Sequence, residues 1–339
     1  MLSGNGKPPD LEALRQFWNN DLAEPYRPKS EESLRLPETL HARAFPFPEL
    51  RVPEGVRFLL ATVDVQKNAF ITQVHGICPG APCDIILIDR FSIMKSTRVD
   101  EDGDRWFVQP GVHQEDWDLL IDEVILRSYP LAEDPDRVMQ IKLTVCDSGG
   151  RAGVTTNAYE FWRRIVGKGL GGRFHLLKGE PRLNAPRTYI SYPDQQGRKD
   201  RFAASRGDVP VLFLNSTLWK DALSNRLYST TPGRGMIHFP QWLPIWFYRE
   251  LCVERRTPKG WEGTRGVRNE AWDLLYYCIG TLASSILRIE QVDWTNPPSW
   301  AETPDKNPLV IPASEAKSVE LTQPRPKRYD FSGFGKALA

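Results

Sequence analysis

Apolar and polar positions along the chain fall into three stretches of different pattern. Residues 57–290 hold nearly all the periodic apolar material, and this stretch opens with three runs of strand character. Residues 57–64 are almost continuously apolar, as in a strand covered on both faces. Residues 69–78 alternate more clearly, and 84–91 follow a turn at Pro79-Gly80-Ala81-Pro82. Residues 115–126 carry Trp117, Leu120, Ile121 and Val124 at helical spacing. A fourth strand is predicted over 138–147, stopping at Ser148-Gly149-Gly150, then a helix over 155–166 and strands near 173–177 and 209–214. A long helix is expected from 269 to 289. Three strands in a row, then helix, strand, helix and strand, predict an α/β fold. Its mixed sheet should be antiparallel at first and then built by crossovers, with helices flanking it.

The two ends read differently. Residues 1–56 are rich in Pro, Glu and Arg, with one helix predicted over 11–22 and then extended chain through Pro46, Pro48 and Pro53. This stretch is expected to be a connector. Residues 291–339 contain seven Pro and almost no apolar periodicity, which predicts a flexible tail.

Composition narrows the class. The 339 residues include 11 Trp and 15 Phe, enough aromatic surface to offset ordering entropy and exclude wholesale disorder. No apolar run reaches the roughly 18 residues of a membrane span. Met1 to Lys7 have no apolar character, so no signal peptide is expected. Cys78, Cys83, Cys146, Cys252 and Cys278 lack metal-ligand spacing and predict free thiols in a reducing cytosol.

The net charge of +1 conceals an asymmetry: residues 161–270 carry 20 Lys and Arg against 9 Asp and Glu. Such a segment suits a polyanion-binding face, although a merely solvated basic surface has the same composition. Its cations form two groups. Arg182, Arg187, Arg198, Lys199, Arg201 and Arg206 come first, and Arg249, Arg255, Arg256, Lys259, Arg265 and Arg268 follow. Phosphate contacts from such groups hold a duplex without reading its sequence. Trp242, Trp246, Phe247 and Tyr248 could stack on unpaired bases, but at helical spacing they read as core. His75, His113, His175 and His238 are scattered and read as structural.

Two acids stand at strand ends. Asp64 closes the first strand and Asp147 the fourth, where side chains of an α/β sheet line a crevice. Each alone could be a turn or cap residue, a reading that Gly149-Gly150 also suits. A third acid, Asp273, precedes the apolar run Leu274-Leu275-Tyr276-Tyr277 of the last helix, and Glu270 lies on the same helical face. Glu270 can simply complement the helix dipole. Two strand-end acids and one acid on a buried helix are the set needed to hold a pair of Mg²⁺ ions, because hard cations prefer carboxylate oxygen.

With these residues placed, the chain resembles the nuclease region of the large terminase subunit of lambda-type tailed phages. The resembling stretches are Phe17 to Tyr26, Thr62 to Gln66, Cys146 to Gly150, Pro232 to Pro240 and Arg268 to Asp273, in the family's order. The resemblance implies an RNase H-like fold and a metal-dependent endonuclease, using two Mg²⁺ or Mn²⁺ ions, that cuts concatemeric double-stranded viral DNA during packaging. Position by position it carries the metal-binding and catalytic roles onto Asp64, Asp147 and Asp273, with Glu270 as a substitute or fourth ligand. It also implies a terminase small subunit and a capsid portal as partners, and the host cytoplasm as the place of action. No G-x-x-x-x-G-K-[ST] phosphate loop occurs in the sequence, so no packaging ATPase is expected in these residues. Two rivals are a transposase or resolvase using the same acids, and a non-catalytic DNA-binding assembly protein in which the acids are structural.

Overall fold

The computed structural model describes residues 36–194 and 207–316. The helix predicted over 11–22, the cations Arg198, Lys199, Arg201 and Arg206, and the tail from 317 onward lie outside the described residues. In chain order the strands are β1 (Phe58–Gln66), β2 (Ala69–Gly80), β3 (Cys83–Ile93), β4 (Lys95–Val99), β5 (Arg105–Phe107), β6 (Ser128–Pro130) and β7 (Arg137–Asp147). Then come β8 (Phe174–Glu180), β9 (Thr188–Ser191), β10 (Val211–Asn215), β11 (Ile237–His238), β12 (Arg255–Thr257), β13 (Gly260–Glu262) and β14 (Val310–Pro312). The helices are α1 (Pro37–Ala42), α2 (Val154–Gly167), α3 (Ser216–Tyr228), α4 (Ile245–Cys252) and α5 (Glu270–Ala283).

Among the described residues, ten strands form one mixed sheet in the order β11-β3-β2-β1-β7-β8-β10-β9, with β6 and β14 pairing to the early part of β7. The β1–β2 and β2–β3 pairs are antiparallel, whereas β1–β7, β7–β8 and β8–β10 are parallel. The expected antiparallel opening and later crossovers are therefore both present.

Alternation divides each central strand between two cores. Phe58 and Leu60 of β1 and Leu143 and Val145 of β7 pack with Leu274, Leu275 and Tyr277 of α5. Leu59, Ala61, Val63 and Cys146 point the other way, towards Phe161 and Ile165 of α2. Continuing the first series places Asp64 and Asp147 on the α5 face. Gly280 lets that helix sit close, since a Cβ there would meet both methyls of Leu214 at 2.9 Å. No helix among the described residues is long and apolar enough to cross a membrane.

Several expectations need correction. Residues 115–126 form a 3₁₀ turn, Gln114–Asp118, and a π turn, Ile121–Ile125, instead of one α-helix. The side chains explain the break: Asp116 is buried and accepts from Ser96, Arg98 and the Gln109 N–H, while Trp117 donates to the Pro110 carbonyl. The last helix stops at Ala283, where Ser284 turns extended and its hydroxyl bonds the Thr281 carbonyl. Packing also crosses both expected boundaries of the central region. Before residue 57, Leu40 and Val52 are buried, Phe45 bridges to Pro240, and Arg43 donates to the Leu227 carbonyl. Beyond residue 290, Ala301 and Asn307 are buried and β14 pairs with β7, so residues 291–316 are not a free tail. Asn307 donates 2.7 Å to the Arg57 carbonyl and 3.1 Å to that of Trp300, which ties this segment down.

Candidate active site

Asp147 ends β7, whereas Asp64 stands two residues before the end of β1, which runs on to Gln66 against β2. Both acids directly follow the last pair of the parallel β1–β7 register, Val63 opposite Cys146, so the two carboxylates emerge side by side. α5 lies across β1 and β2 on that face and brings Asp273 and Glu270 to the same crevice. The structure therefore gathers the four acids singled out from the sequence. Among the described residues, however, no group of three or more His, Cys, Asp and Glu side chains is closed around a position for a metal ion.

Their electrostatics are unusual. Asp64 is 8 % exposed, and its pKa is pushed up to about 7 by burial first and then by the charge of Asp147, with Asp273 and Glu270 adding to it. Gln66, which donates from its amide, works in the opposite direction. Burial raises Asp147 too, although the Gly149 N–H at 3.0 Å and the nearby Lys178 ammonium hold it back. Gly149 stands so near that a Cβ there would lie 3.3 Å from the Asp147 carboxylate. Asp273 is raised to about 6, mainly by burial, against the pull of Lys220 at 2.8 Å. Asn269 donates to its other oxygen at 2.9 Å.

Glu270 differs from these three. Both of its oxygens face the Arg268 guanidinium, at 3.0 and 3.1 Å. Beneath it, Glu250 receives the Ala271 N–H at 2.9 Å and pairs with the buried Arg90 at 3.4 Å. Glu270 thus belongs to a neutralised cluster, while Asp64 and Asp147 have no Arg or Lys bonded to them among the described residues.

The expected DNA contacts are divided. Arg182 is exposed but forked on Glu180 at 2.9 and 2.8 Å, and Arg187 bonds Glu290 at 2.7 Å with its plane over Trp219. Arg268 is engaged by Glu270, whereas Arg265 is exposed in the loop before α5 with no ion pair among the described residues. Phe247 and Tyr248 are core residues, as their spacing suggested. His75 is buried against Thr62, with burial lowering its pKa to about 3, and His238 is bound to Asp84. Neither faces the acids as a base.

Sequence reasoning missed Lys220 and Glu254. Lys220 lies on α3 and Glu254 follows α4, so neither shares a periodic pattern with Asp273. Their signal was only an unexplained acid inside a basic segment.

Against known proteins, a family model described as terminase large subunit gpA, endonuclease domain, matches residues 4–294. The comparisons with curated proteins and with solved structures gave no match.

Proposed function

The chain belongs to the family of terminase large subunit gpA endonuclease domains, and from that premise we propose that it is a metal-dependent endonuclease cutting concatemeric double-stranded viral DNA during genome packaging. Its sheet reads as RNase H-like. The support is the antiparallel trio β3-β2-β1 continued by parallel β7 and β8, with Asp64 near the end of β1 and Asp147 closing β7. Terminase small subunit and portal are the proposed partners, in the host cytoplasm.

The observation that carries the reading is the Asp64 carboxyl, raised to about 7 among other acids at a crevice. Buried carboxylates that repel one another, with no Arg or Lys bonded to Asp64 or Asp147 among the described residues, fit hard divalent ions. Asp64, Asp147 and Asp273 would hold two Mg²⁺ or Mn²⁺ ions, with Glu270 as the alternative ligand. Bound there, the ions supply a nucleophile from water at neutral pH and stabilise the charge of phosphoryl displacement. The chain's own groups do the rest. Gln66 and the Gly149 N–H fix the orientations of Asp64 and Asp147. Lys178, on β8 beside Asp147, and the exposed Arg265 supply positive charge for the phosphate backbone. Arg182, Arg187, Arg198, Lys199, Arg201, Arg206 and Arg268 extend that role along the duplex.

The test is cleavage of supercoiled plasmid with Mn²⁺ or Mg²⁺. Nicked and linear products are expected from the wild-type chain and none from Asp64→Ala or Asp147→Ala, with far-UV spectra unchanged. Full activity in either folded variant rejects the assignment.

A further inference from the structure

Asp273 is held by groups that are themselves held. Lys220 places its ammonium 2.8 Å from one oxygen of Asp273 and 2.8 and 2.9 Å from the two oxygens of Glu254. Lys220 thus bridges the two acids, by an ion pair to Asp273 and by hydrogen bonds to Glu254. Asn269 does the same from the other side. Its amide donates to the second oxygen of Asp273 at 2.9 Å and to Glu254 at 2.7 Å. Glu254 also accepts from the Trp272 indole at 3.1 Å.

We propose that Glu254 is a positioning residue for Asp273, acting through Lys220 and Asn269. This rests on the reading of Asp273 as a metal ligand. The terminal torsion of an Asp side chain has a broad minimum, so the plane of its carboxylate must be fixed from outside. The Lys220 ammonium paired with one oxygen and the Asn269 amide donating to the other fix it. Glu254 is the anchor that the two groups share. It is 4 % exposed and joins three elements: α3 through Lys220, the end of α4 through its own backbone, and the first turn of α5 through Asn269. A buried carboxylate that served packing alone would need only enough donors to be satisfied. Here two of its side-chain partners, Lys220 and Asn269, lead to the same functional side chain. The Asn269 of the Arg268-to-Asp273 stretch thereby acquires a task that helix capping does not explain, since its side chain makes no cap bond.

The Trp272 bond provides the internal control, because it reaches Glu254 without touching Asp273. Mn²⁺ binding to the full chain can be followed by the loss of the free-ion electron paramagnetic resonance signal, without reference to cleavage. Glu254→Gln should weaken Mn²⁺ binding by about 10–100-fold, the usual cost of removing a group that orients a ligand. It should have no further effect in an Asp273→Asn background. Trp272→Phe should lower the melting temperature and leave the affinity where it is. If Glu254→Gln does not fold, Asn269→Ala reports on the same bridge and should shift binding in the same direction. Equal loss of affinity in Glu254→Gln and Trp272→Phe, or unchanged affinity in folded Glu254→Gln and Asn269→Ala, overturns the positioning role alone. A wild-type chain that binds no Mn²⁺ overturns the metal reading beneath it.

Discussion

Asp84 and Asp64 are both buried carboxylates on strands of the same sheet, and they have opposite fates. Asp84, on β3, accepts from the N–H groups of Gly233 and Met236 at 2.7 and 2.8 Å and lies 2.8 Å from His238. Burial alone would raise its pKa, but the His238 bond and the two backbone donors outweigh it and hold the carboxyl below its ordinary value. Asp64, on β1, has one side-chain donor and three acidic neighbours, and it rises to about 7. The first acid is a finished structural joint, closing the loop from Pro232 onto β3 through β11. The second is left costly by the fold. Burial and a place on a strand are shared, so what separates the proposed functional acid from the structural one is whether the protein itself answers the charge.

The sharpest way to break that comparison is cleavage by Asp64→Asn. Activity should fall by ~10³-fold or more, the scale for losing a group that acts in the transition state. The Asp84→Asn chain that remains folded should still cut. Its loss should appear as stability instead, about 3–5 kcal/mol by thermal or urea melting, because it breaks a buried pair and turns an amide nitrogen towards one of the two backbone donors. Equal effects on cutting would erase the distinction.

A third measurement sharpens it through pH, in metal-free buffer. Folded Asp64 keeps its proton up to about pH 7, whereas its ordinary value is 3.8. Between those values the folded state binds more protons, so stability falls as pH rises. Asp64→Asn should therefore match the wild type near pH 4 and exceed it at pH 8 by on the order of 1–3 kcal/mol. Asp84 runs the other way: its contribution is complete at neutral pH and disappears on acidification. The smallest effect is expected at Glu270→Gln. Its partner Arg268 is half-exposed, so the substitution should cost roughly 0.5–1 kcal/mol and little cleavage, while Asp273→Asn is severely impaired at any Mn²⁺ concentration. The reverse order would make Glu270 the ligand.

Much of the sheet was legible because its central strands are covered on both faces and so appear as dense apolar runs. β1, β2, β3, β7 and α5 announce themselves this way. α3 does not: Thr217 and Ser224 are buried in it beside Trp219 and Leu223, so polar and apolar positions mix on its inner face. β14 is three residues long and contains a proline, and only its partner reveals it as a strand. The four acids were readable because Asp64 and Asp147 each follow an apolar run, while Glu270 and Asp273 precede one in the first turn of α5. Lys220 and Glu254 were not, because they meet across 34 positions and no periodicity links α3 to the end of α4. The arginines show the same limit from the other side. Glu180 and Glu290 claim two of them at short range, and only folding decides which partner a cation meets.

The bond from Asn307 to Arg57 joins positions 250 apart, at the edge of the strand that carries Asp64. Contacts so distant in sequence form late, after the intervening chain has been made and collapsed. A ribosome building this protein delivers Asp64 before Asp147 and Asp147 before Asp273, and the strap over β7 comes later still. Until all of these segments are out, the acids of the proposed centre stay scattered. On that proposal, competence to cleave arises in one late event and not by gradual accumulation.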